Sequence, residues 1–485
     1  MAFFALGLLL ILNHELWQDE WQAWLIARDS ASLPELFKNL GYEGHPGLWH
    51  LCLFCLSRFA QQPLAMQVYH LLLATATVYI FLRFSPFPSL QKVLFVFGYF
   101  PFFEYAALSR NYAPGILLIF VFCAVFTSSF PRRFLVLAGI LFLLAQTNVY
   151  GLFIAMALGL ALVVAALTAG GFNLKEHKFQ FPAGLALLVA GVLISVIQLV
   201  PPADSGVAPG WKLDLDLPHF TRVVATIWES FVPLPAAQYH FWDTNIIADP
   251  YLKFFLSLLL LAFPILSFLR QPLMLGIFAL GALEILTFGY TKYFGSIRHH
   301  GHLFILFLSC LWLSGSFPSK ELTGPLAKGL ADFGRRNRDR FVVALLGVHL
   351  LAGLMAYGMD LFYPFSAGRE TARYIKENHW DRLLLAGEED DAASVLAGYL
   401  HRQIYYPGSG RWGSFVISDQ KRKSLNDAEI LAKTRELALK YQRDVLLIMN
   451  REMAVPGNPV VPVRQFTDSI VPAERYYLYL VKYGW

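Results

Sequence analysis

Hydrophobic residues fall in long runs along the first three quarters of the chain, and shorter polar stretches separate these runs. A helix that crosses a membrane needs about 20 mainly apolar residues, and several of the runs are shorter than this. The pattern predicts a polytopic α-helical membrane domain over residues 1–359, with about 11 to 13 transmembrane helices. The apolar segments lie near residues 1–13, 47–60, 64–84, 90–103, 113–130, 134–147, 152–169, 182–200, 251–269, 272–290, 301–316 and 341–359.

The pattern changes after about residue 360. The stretches "RLLLAG" and "DVLLIMN" predict buried strands, and "RYYLYLVKYG" predicts a closing strand. The stretch "SLNDAEILAKTRELALKY" has helical spacing and an Asn-Asp start, which predicts an amphipathic helix. Residues 360–485 are therefore predicted to form a soluble α/β domain.

The composition agrees with a membrane protein. The chain is 56% hydrophobic and 15% charged, with a mean hydropathy of +0.49, whereas soluble proteins carry about 25% charged residues. The net charge of +5 does not require a nucleic-acid partner. The densest basic cluster, "GRRNRDR" at residues 334–340, precedes an apolar run, as a cytoplasmic loop does.

With that cluster inside the cell, the chain passes outward through residues 341–359, and the C-terminal domain is predicted to be extracytoplasmic. The outer loops would be 104–112, 201–250 and 291–300, and the inner basic residues would be 132–133, 175–178 and Arg270. If all twelve segments crossed the membrane, the opening loop would lie inside the cell. For this loop to lie outside, the number of crossings must be odd. We therefore expect that one segment does not cross, or that one segment is split into two, and the first candidate for a segment that does not cross is 47–60, which is about fourteen residues long.

The opening loop carries an acidic pair, Asp19 and Glu20, in "HELWQDEWQAWLIARD". If residues 14–28 are helical, one face of this helix carries the tryptophans and another carries Asp19. The tryptophan face would then lie among lipid headgroups, with the carboxylate toward an aqueous cavity. The alternative is that both acids are solvated interfacial charges.

This acidic pair, followed by "YEGHPGLWHL", resembles the first extracytoplasmic loop of the GT-C superfamily of membrane glycosyltransferases. The most similar branch is that of the protein O-mannosyltransferases and aminoarabinose transferases (glycosyltransferase family 39-like). In this superfamily an acidic residue of the loop faces the active site, so the resemblance implies that Asp19 and Glu20 are catalytic residues, with Asp19 the better candidate for the reactive position. Gly47 stands where the "HPPL"-like family element has its second proline. The resemblance covers most of the membrane part and does not extend to the tail.

Two further outer stretches carry candidate chemistry. "FFEYAALSRNYAPG" contains Glu104, Arg110 and Tyr112 and is similar to the second family loop, although the aspartate expected after Arg110 is absent. "YTKYFGSIRHHGHLF" concentrates cations at the mouth of a late helix, where they suit the phosphate of a lipid carrier. Its candidate residues are Lys292, Arg298, His299 and His300. The alternatives are cations that contact lipid headgroups and, less favoured because His299 and His300 diverge, a three-histidine metal site.

The resulting hypothesis is an inverting glycosyltransferase at the outer face of a bacterial inner membrane, with a polyprenyl-phosphate sugar as donor. Asp19 would be the general base, and Arg298, with Lys292 or His299, would stabilise the leaving phosphate. The sugar pocket would contain Glu43, His45, Glu104, Arg110, Tyr112, Asn148 and Tyr150. For Asn148 and Tyr150, a simple turn is the alternative.

We expect no cofactor and no essential metal, although divalent metal dependence stays open. The acceptor would be a glycan, a lipid or a protein, and no nucleic acid is expected. The first rival function is a transporter or flippase for a lipid-linked or polar substrate, but the sequence shows no internal repeat of the kind many transporters have. The second is a receptor whose tail is the functional part, which leaves the acidic loop unexplained.

Overall fold

A computed structural model of the protein describes residues 1–128, 133–168, 179–206, 210–388, 390–454 and 460–484. The first part is helical, as predicted. Its elements are α1 (Ala2–Asn13), α2 (Gln18–Asp29), α3 (Leu33–Leu40), α4 (Leu48–Ser57), α5 (Leu64–Phe84), α6 (Ser89–Val96), a π-helical turn (Tyr99–Glu104), α7 (Tyr112–Phe126), α8 (Arg133–Ala145), α9 (Val149–Thr168), α10 (Gln180–Leu199), α11 (Leu217–Phe231), α12 (Pro250–Phe268), α13 (Pro272–Thr291), α14 (Ile297–Ser314) and α15 (Pro325–Phe362). Among the described helices, α5, α9, α10, α12, α13 and α15 are long and apolar enough to cross a membrane.

Hydrogen bonds between distant segments define two ends of the helical bundle. At the loop end, which carries the opening loop, the His14 ring contacts Asp360 at 2.8 Å, which joins the end of α1 to the end of α15. At the opposite, basic end, Arg270 is paired with Asp332 at 3.0 Å, so the turn after α12 contacts the start of α15. The predicted inner basic residues at 132–133 and 175–178 lie outside the part whose side chains are described.

Helix α4 does not cross the bundle. Its ten residues span only about 15 Å, half the thickness of a membrane core. Both of its ends bind to the loop end: Leu48 N–H donates to the Gln146 carbonyl, and Arg58 donates to carbonyl groups at the end of α2. Removing this segment from the predicted crossings leaves an odd number, so the structure agrees with the expectation for residues 47–60.

Helix α14 occupies the centre of the bundle. Every side chain of this helix except that of Arg298 is buried, as expected for a helix that is apolar on all sides and surrounded by other helices. Its first turn, at the loop end, therefore carries its polar side chains inside the protein rather than at a lipid-facing rim. The first turn of α14 contributes Arg298 and His299 to the candidate site.

The described residues of the tail form a mixed sheet and α-helices, which confirms the predicted α/β class. Its elements are α16 (Gly368–Glu377), β1 (Leu384–Gly387), α17 (Asp390–Leu400), β2 (Ile404–Tyr406), β3 (Arg411–Gly413), α18 (Asp427–Tyr441), β4 (Val445–Met449), β5 (Val460–Phe466) and β6 (Tyr476–Val481), with single 3-10 turns at Trp380–Arg382 and Pro472–Glu474. The strand order is β3-β2-β1-β4-β6-β5. Strand β1 pairs in parallel with β2 and β4, and the other pairs are antiparallel.

The tryptophans of the opening loop are buried in protein, so the prediction that they lie among headgroups is wrong. Trp21 and Trp24 are 1% and 0% exposed and belong to a core that α2 and α4 share with the tail. The ring of Trp21 packs edge-on against Tyr399 of α17, and it lies so close to Gly398 that a Cβ atom there would overlap it. The partner of these indoles is therefore the C-terminal domain, which a local pattern could not reveal.

Candidate active site

Asp19 lies at the start of α2 between two arginines. Its Oδ2 is 2.8 Å from Nη1 of Arg110 and 3.7 Å from Nη2 of Arg298. The Asp19 side chain is 30% exposed, whereas those of Arg110 and Arg298 are 11% and 13% exposed. The three groups predicted from three separate loops thus meet at one partly open position.

An indole surface supports the two guanidinium groups. The Cζ atoms of Arg110 and Arg298 lie 6.0 Å and 5.1 Å from the Trp17 ring centroid. Arg298 also lies 5.2 Å from the Trp242 ring, which packs edge-on against Trp17. Two like charges repel, and both the carboxylate of Asp19 and the electron-rich indole faces offset that repulsion. Trp17 and Trp242 are site residues that the sequence analysis did not identify.

Glu20 points away from Asp19 and is fully buried. It accepts hydrogen bonds from the His14 ring at 3.0 Å, from the Ser109 backbone N–H at 2.6 Å and from the Trp17 backbone N–H at 3.2 Å. These bonds join α1, α2 and the loop that carries Arg110. The arrangement favours a positioning role for Glu20 over direct contact with a substrate.

His14 completes this buried network by donating to both Glu20 and Asp360. Burial alone lowers the pKa of His14, but the carboxylates of Asp360 and Glu20 outweigh it and raise the pKa to about 10. The imidazole is therefore a cation at neutral pH. Because Asp360 is 346 residues away in sequence, no local motif could have predicted this partner.

The first turn of α14 separates its histidines. The Ser296 backbone N–H donates to Nδ1 of His299 at 2.9 Å, so Nε2 carries the proton and donates to the Tyr112 hydroxyl at 2.7 Å. His300 turns the other way, with its Nδ1 3.1 Å from Glu229 and its Nε2 donating to a backbone carbonyl. Of these two histidines, His299 is the one whose ring forms a hydrogen bond with another predicted site residue.

Three further predicted residues, Glu104, Lys292 and Tyr150, lie beside aromatic side chains. Glu104 is buried and accepts from Tyr99 and from the Trp242 indole, at 2.9 Å and 3.2 Å. The Nζ atom of Lys292 lies 5.0 Å from the ring of Trp211, in the long loop between α10 and α11. Tyr150 stacks on the ring of His302, one turn into α14 from Arg298.

Asn148 directly precedes α9 and is buried. Its Oδ1 accepts from the Gly151 N–H at 2.8 Å, and its Nδ2 donates to the Asn111 carbonyl at 3.2 Å. The first bond completes the start of α9, and the second fixes the backbone next to Arg110. Both polar groups of the amide are thus used within the protein.

The segment that precedes α4 supplies Glu43 and His45. Burial raises the pKa of Glu43 to about 7, against the effect of a hydrogen bond from Gln22. Burial, with the positive charges of Arg110 and Arg298, lowers the pKa of His45 to about 3. His45 is therefore neutral, and Glu43 titrates near neutrality.

Gly47 shows why this chain departs from the "HPPL"-like element. Its backbone N–H donates to Oε1 of Gln198 at 2.8 Å, a bond that proline cannot make. A Cβ atom at this position would lie 2.6 Å from the Phe37 ring. Glycine is thus required by the contact between the opening loop and α10.

Among the described residues, no group of three or more His, Cys, Asp or Glu side chains is arranged to hold a metal ion. The charge opposite Asp19 is supplied by arginines. These can bind a phosphate through paired N–H donors, and a carboxylate beside them can accept a proton from a hydroxyl group.

No family model matches the chain, and no curated protein matches it. Among solved structures, ArnT from Cupriavidus metallidurans in the apo state superposes with a TM-score of 0.53, over 99% of this chain and 97% of that chain, at 12% sequence identity. The chain has the fold of ArnT.

A second structure of ArnT from Cupriavidus metallidurans, bound to undecaprenyl phosphate, gives a TM-score of 0.51 with the same coverage and identity. The likeness to ArnT includes the C-terminal domain, which the sequence resemblance could not match. It confirms the GT-C-like fold expected from the opening loop. At 12% identity it establishes the fold alone.

Proposed function

We propose that the protein is a membrane glycosyltransferase that takes a sugar from a polyprenyl-phosphate carrier and transfers it to an acceptor hydroxyl group. The observation that carries this proposal is the Asp19 carboxylate held between Arg110 and Arg298 at a partly open position. The ArnT fold supports it, because one ArnT structure is bound to undecaprenyl phosphate. A carboxylate beside two guanidinium groups provides both a proton acceptor and a phosphate-binding surface.

In the proposed reaction, the oxygen of the acceptor hydroxyl group attacks the anomeric carbon, and Asp19 takes the proton of that hydroxyl group. A carbon–oxygen bond forms, and the bond between the anomeric carbon and the phosphate oxygen breaks. The electron pair of the broken bond stays on the phosphate, whose charge Arg110 and Arg298 stabilise. A single displacement inverts the configuration of the anomeric carbon.

The resting ion pairs have a consequence for donor binding. Arg110 and Arg298 are both paired with Asp19. A phosphate that binds these guanidinium groups would take them from Asp19 and leave its carboxylate free to contact the acceptor hydroxyl group.

The other predicted residues have supporting roles in this proposal. Tyr112, His45 and Glu43 surround the sugar, and His299 orients the Tyr112 hydroxyl. We propose that catalysis needs no divalent metal, because the two guanidinium groups supply the positive charge at the leaving group. Turnover that persists in EDTA is the expected result, and turnover restored only by added Mg²⁺ or Mn²⁺ would contradict this part.

An apolar crevice of about 350 Å³ between α8, α9 and α10 is a suitable place for the lipid tail. It is lined by aliphatic side chains, including Met156 and Leu193, both exposed toward the lipid. Above it, Gln198 binds Gln146 and the Gly47 backbone, two residues from His45. We propose that the carrier chain lies in this crevice, with the active site and the tail domain on the outer face of a bacterial inner membrane.

The test is a transfer assay in nanodiscs with a panel of short-chain polyprenyl-phosphate sugars, with release of the lipid phosphate as the readout. Asp19→Asn is compared with wild type and with Asp339→Asn, a matched change at a 69% exposed aspartate of the basic end. We expect donor-dependent release that Asp19→Asn removes and Asp339→Asn preserves. Release that is unchanged in Asp19→Asn would contradict the role of Asp19 as the base, and failure of every lipid-linked sugar to bind would favour the transporter.

A further inference from the structure

Residues 211–217 of the long outer loop alternate between apolar and charged side chains. The apolar strip consists of Trp211, Leu213, Leu215 and Leu217, which are 64%, 80%, 83% and 65% exposed. The charged residues between them are drawn together by Lys212, whose Nζ lies 3.1 Å from Oδ2 of both Asp214 and Asp216. The two kinds of side chain are thus separated, and the apolar ones pack against no other part of the described chain to any large extent.

The apolar strip is fixed to the end of α13 by its backbone. Lys212 N–H donates to the Thr291 carbonyl at 2.8 Å. The Tyr290 hydroxyl accepts from the Asp216 N–H and donates to the Asp214 carbonyl, at 2.8 Å and 2.6 Å. Polar backbone groups of the segment are therefore satisfied by the protein, while the apolar side chains stay outside.

The surface next to the strip belongs to two candidate transmembrane helices. Helices α12 and α13 are candidate transmembrane helices, and the first turns of α12 expose Tyr251 and Phe255 by 65% and 58%. Phe220, just after the strip, contacts the same helix with its ring 6.4 Å from that of Phe254. The strip thus continues an apolar, aromatic-rich surface of the kind found at membrane interfaces.

We propose that the apolar strip inserts into the membrane interface beside the outer ends of α12 and α13. Irregular backbone is not tolerated in contact with the hydrocarbon core, so the strip lies at the boundary between headgroups and acyl chains. The ion-paired Lys212, Asp214 and Asp216 lie in the headgroup layer. This inference concerns the position of the protein in the membrane and does not depend on the reaction it catalyses.

A nitroxide depth measurement tests the insertion. Cys52 and Cys55, which are not buried, are replaced by serine, whereas Cys123 and Cys310 are buried and are kept. A single cysteine is then placed at Leu213 or at Leu215 and labelled in nanodiscs. The matched control is Leu439→Cys in α18 of the tail domain, which is 61% exposed. We expect labels at 213 and 215 to collide several-fold more with oxygen than with water-soluble nickel chelate, and the label at 439 to show the reverse.

Two outcomes overturn the proposal. Labels at 213 and 215 with the same preference for the nickel chelate as the control would show that the strip is in water. Spin–spin broadening that disappears on dilution with unlabelled protein would show that a second copy of the chain covers it. Because these side chains are exposed, the substitutions are expected to leave folding intact, which the elution profile of the labelled protein checks.

Discussion

Asp19 and Glu20 are adjacent in sequence, yet each belongs to a different kind of charged cluster. Asp19 is 30% exposed and contacts two long, partly exposed arginines. Glu20 is fully buried, and its partners are a buried imidazole and backbone N–H groups. The two side chains point about 100° apart around the helix. The arginines that contact Asp19 could bind a ligand instead, whereas the partners of Glu20 hold three segments together.

The largest expected effect is a loss of activity when the partly exposed cluster around Asp19 is changed. Asp19→Asn should lower kcat by about 10²–10⁴-fold, because the amide cannot accept the proton, with a smaller fall in Tm than Glu20→Gln causes. Transfer rates and thermal unfolding are measured on the same preparation. A fall in Tm as large as that of Glu20→Gln would mean that Asp19 also belongs to the structural network.

The second prediction is that a change at the neighbouring residue, Glu20, affects stability more than Asp19→Asn does. Glu20→Gln replaces a carboxylate that accepts from three N–H donors with an amide, whose NH₂ group cannot accept from them, and a buried donor left unsatisfied costs about 1–3 kcal/mol of unfolding free energy. A large fall in Tm is expected, and Glu436→Gln, at an exposed position of α18, serves as the control. Equal Tm values for the two variants would contradict a structural role for Glu20.

The third prediction uses pH. The folded pKa of His14 is about 10, against 6.5 for the free side chain. The stabilisation is therefore fully present below pH 6.5 and is lost as the pH rises toward 10. Thermal unfolding from pH 7 to 10 should show a decline that is smaller in His14→Gln, and parallel declines in the two proteins would count against the charged imidazole.

The smallest effect concerns the indole surface below the arginines. Trp17→Leu removes cation–π contacts worth about 0.5–2 kcal/mol, so KM for the donor should rise by about 2- to 30-fold while kcat changes less. Initial rates over a range of donor concentrations give both constants. The reverse result, a loss in kcat with KM unchanged, would place Trp17 in the chemical step instead.

The sequence predicts the parts of this structure that depend on local patterns. The apolar runs locate the helices, the short runs of the tail locate β1, β4 and β6, and the loops point to Asp19, Arg110 and Arg298. Contacts between distant segments could not be predicted in this way. The pairing of His14 with Asp360, the burial of Trp21 under Gly398 and the Gly47–Gln198 bond all need two segments whose proximity only the fold creates.

The shared core around Trp21 has a consequence for how the protein is made. Helix α2 lies near the start of the chain, but its packing partner α17 is synthesised after nearly all of the membrane helices. Until the tail has been translated and has packed against the loop end, the indole rings of Trp21 and Trp24 are not fully buried. A chain interrupted before residue 390 would display them permanently, so we expect chaperones and quality-control proteases to recognise unfinished copies at this loop.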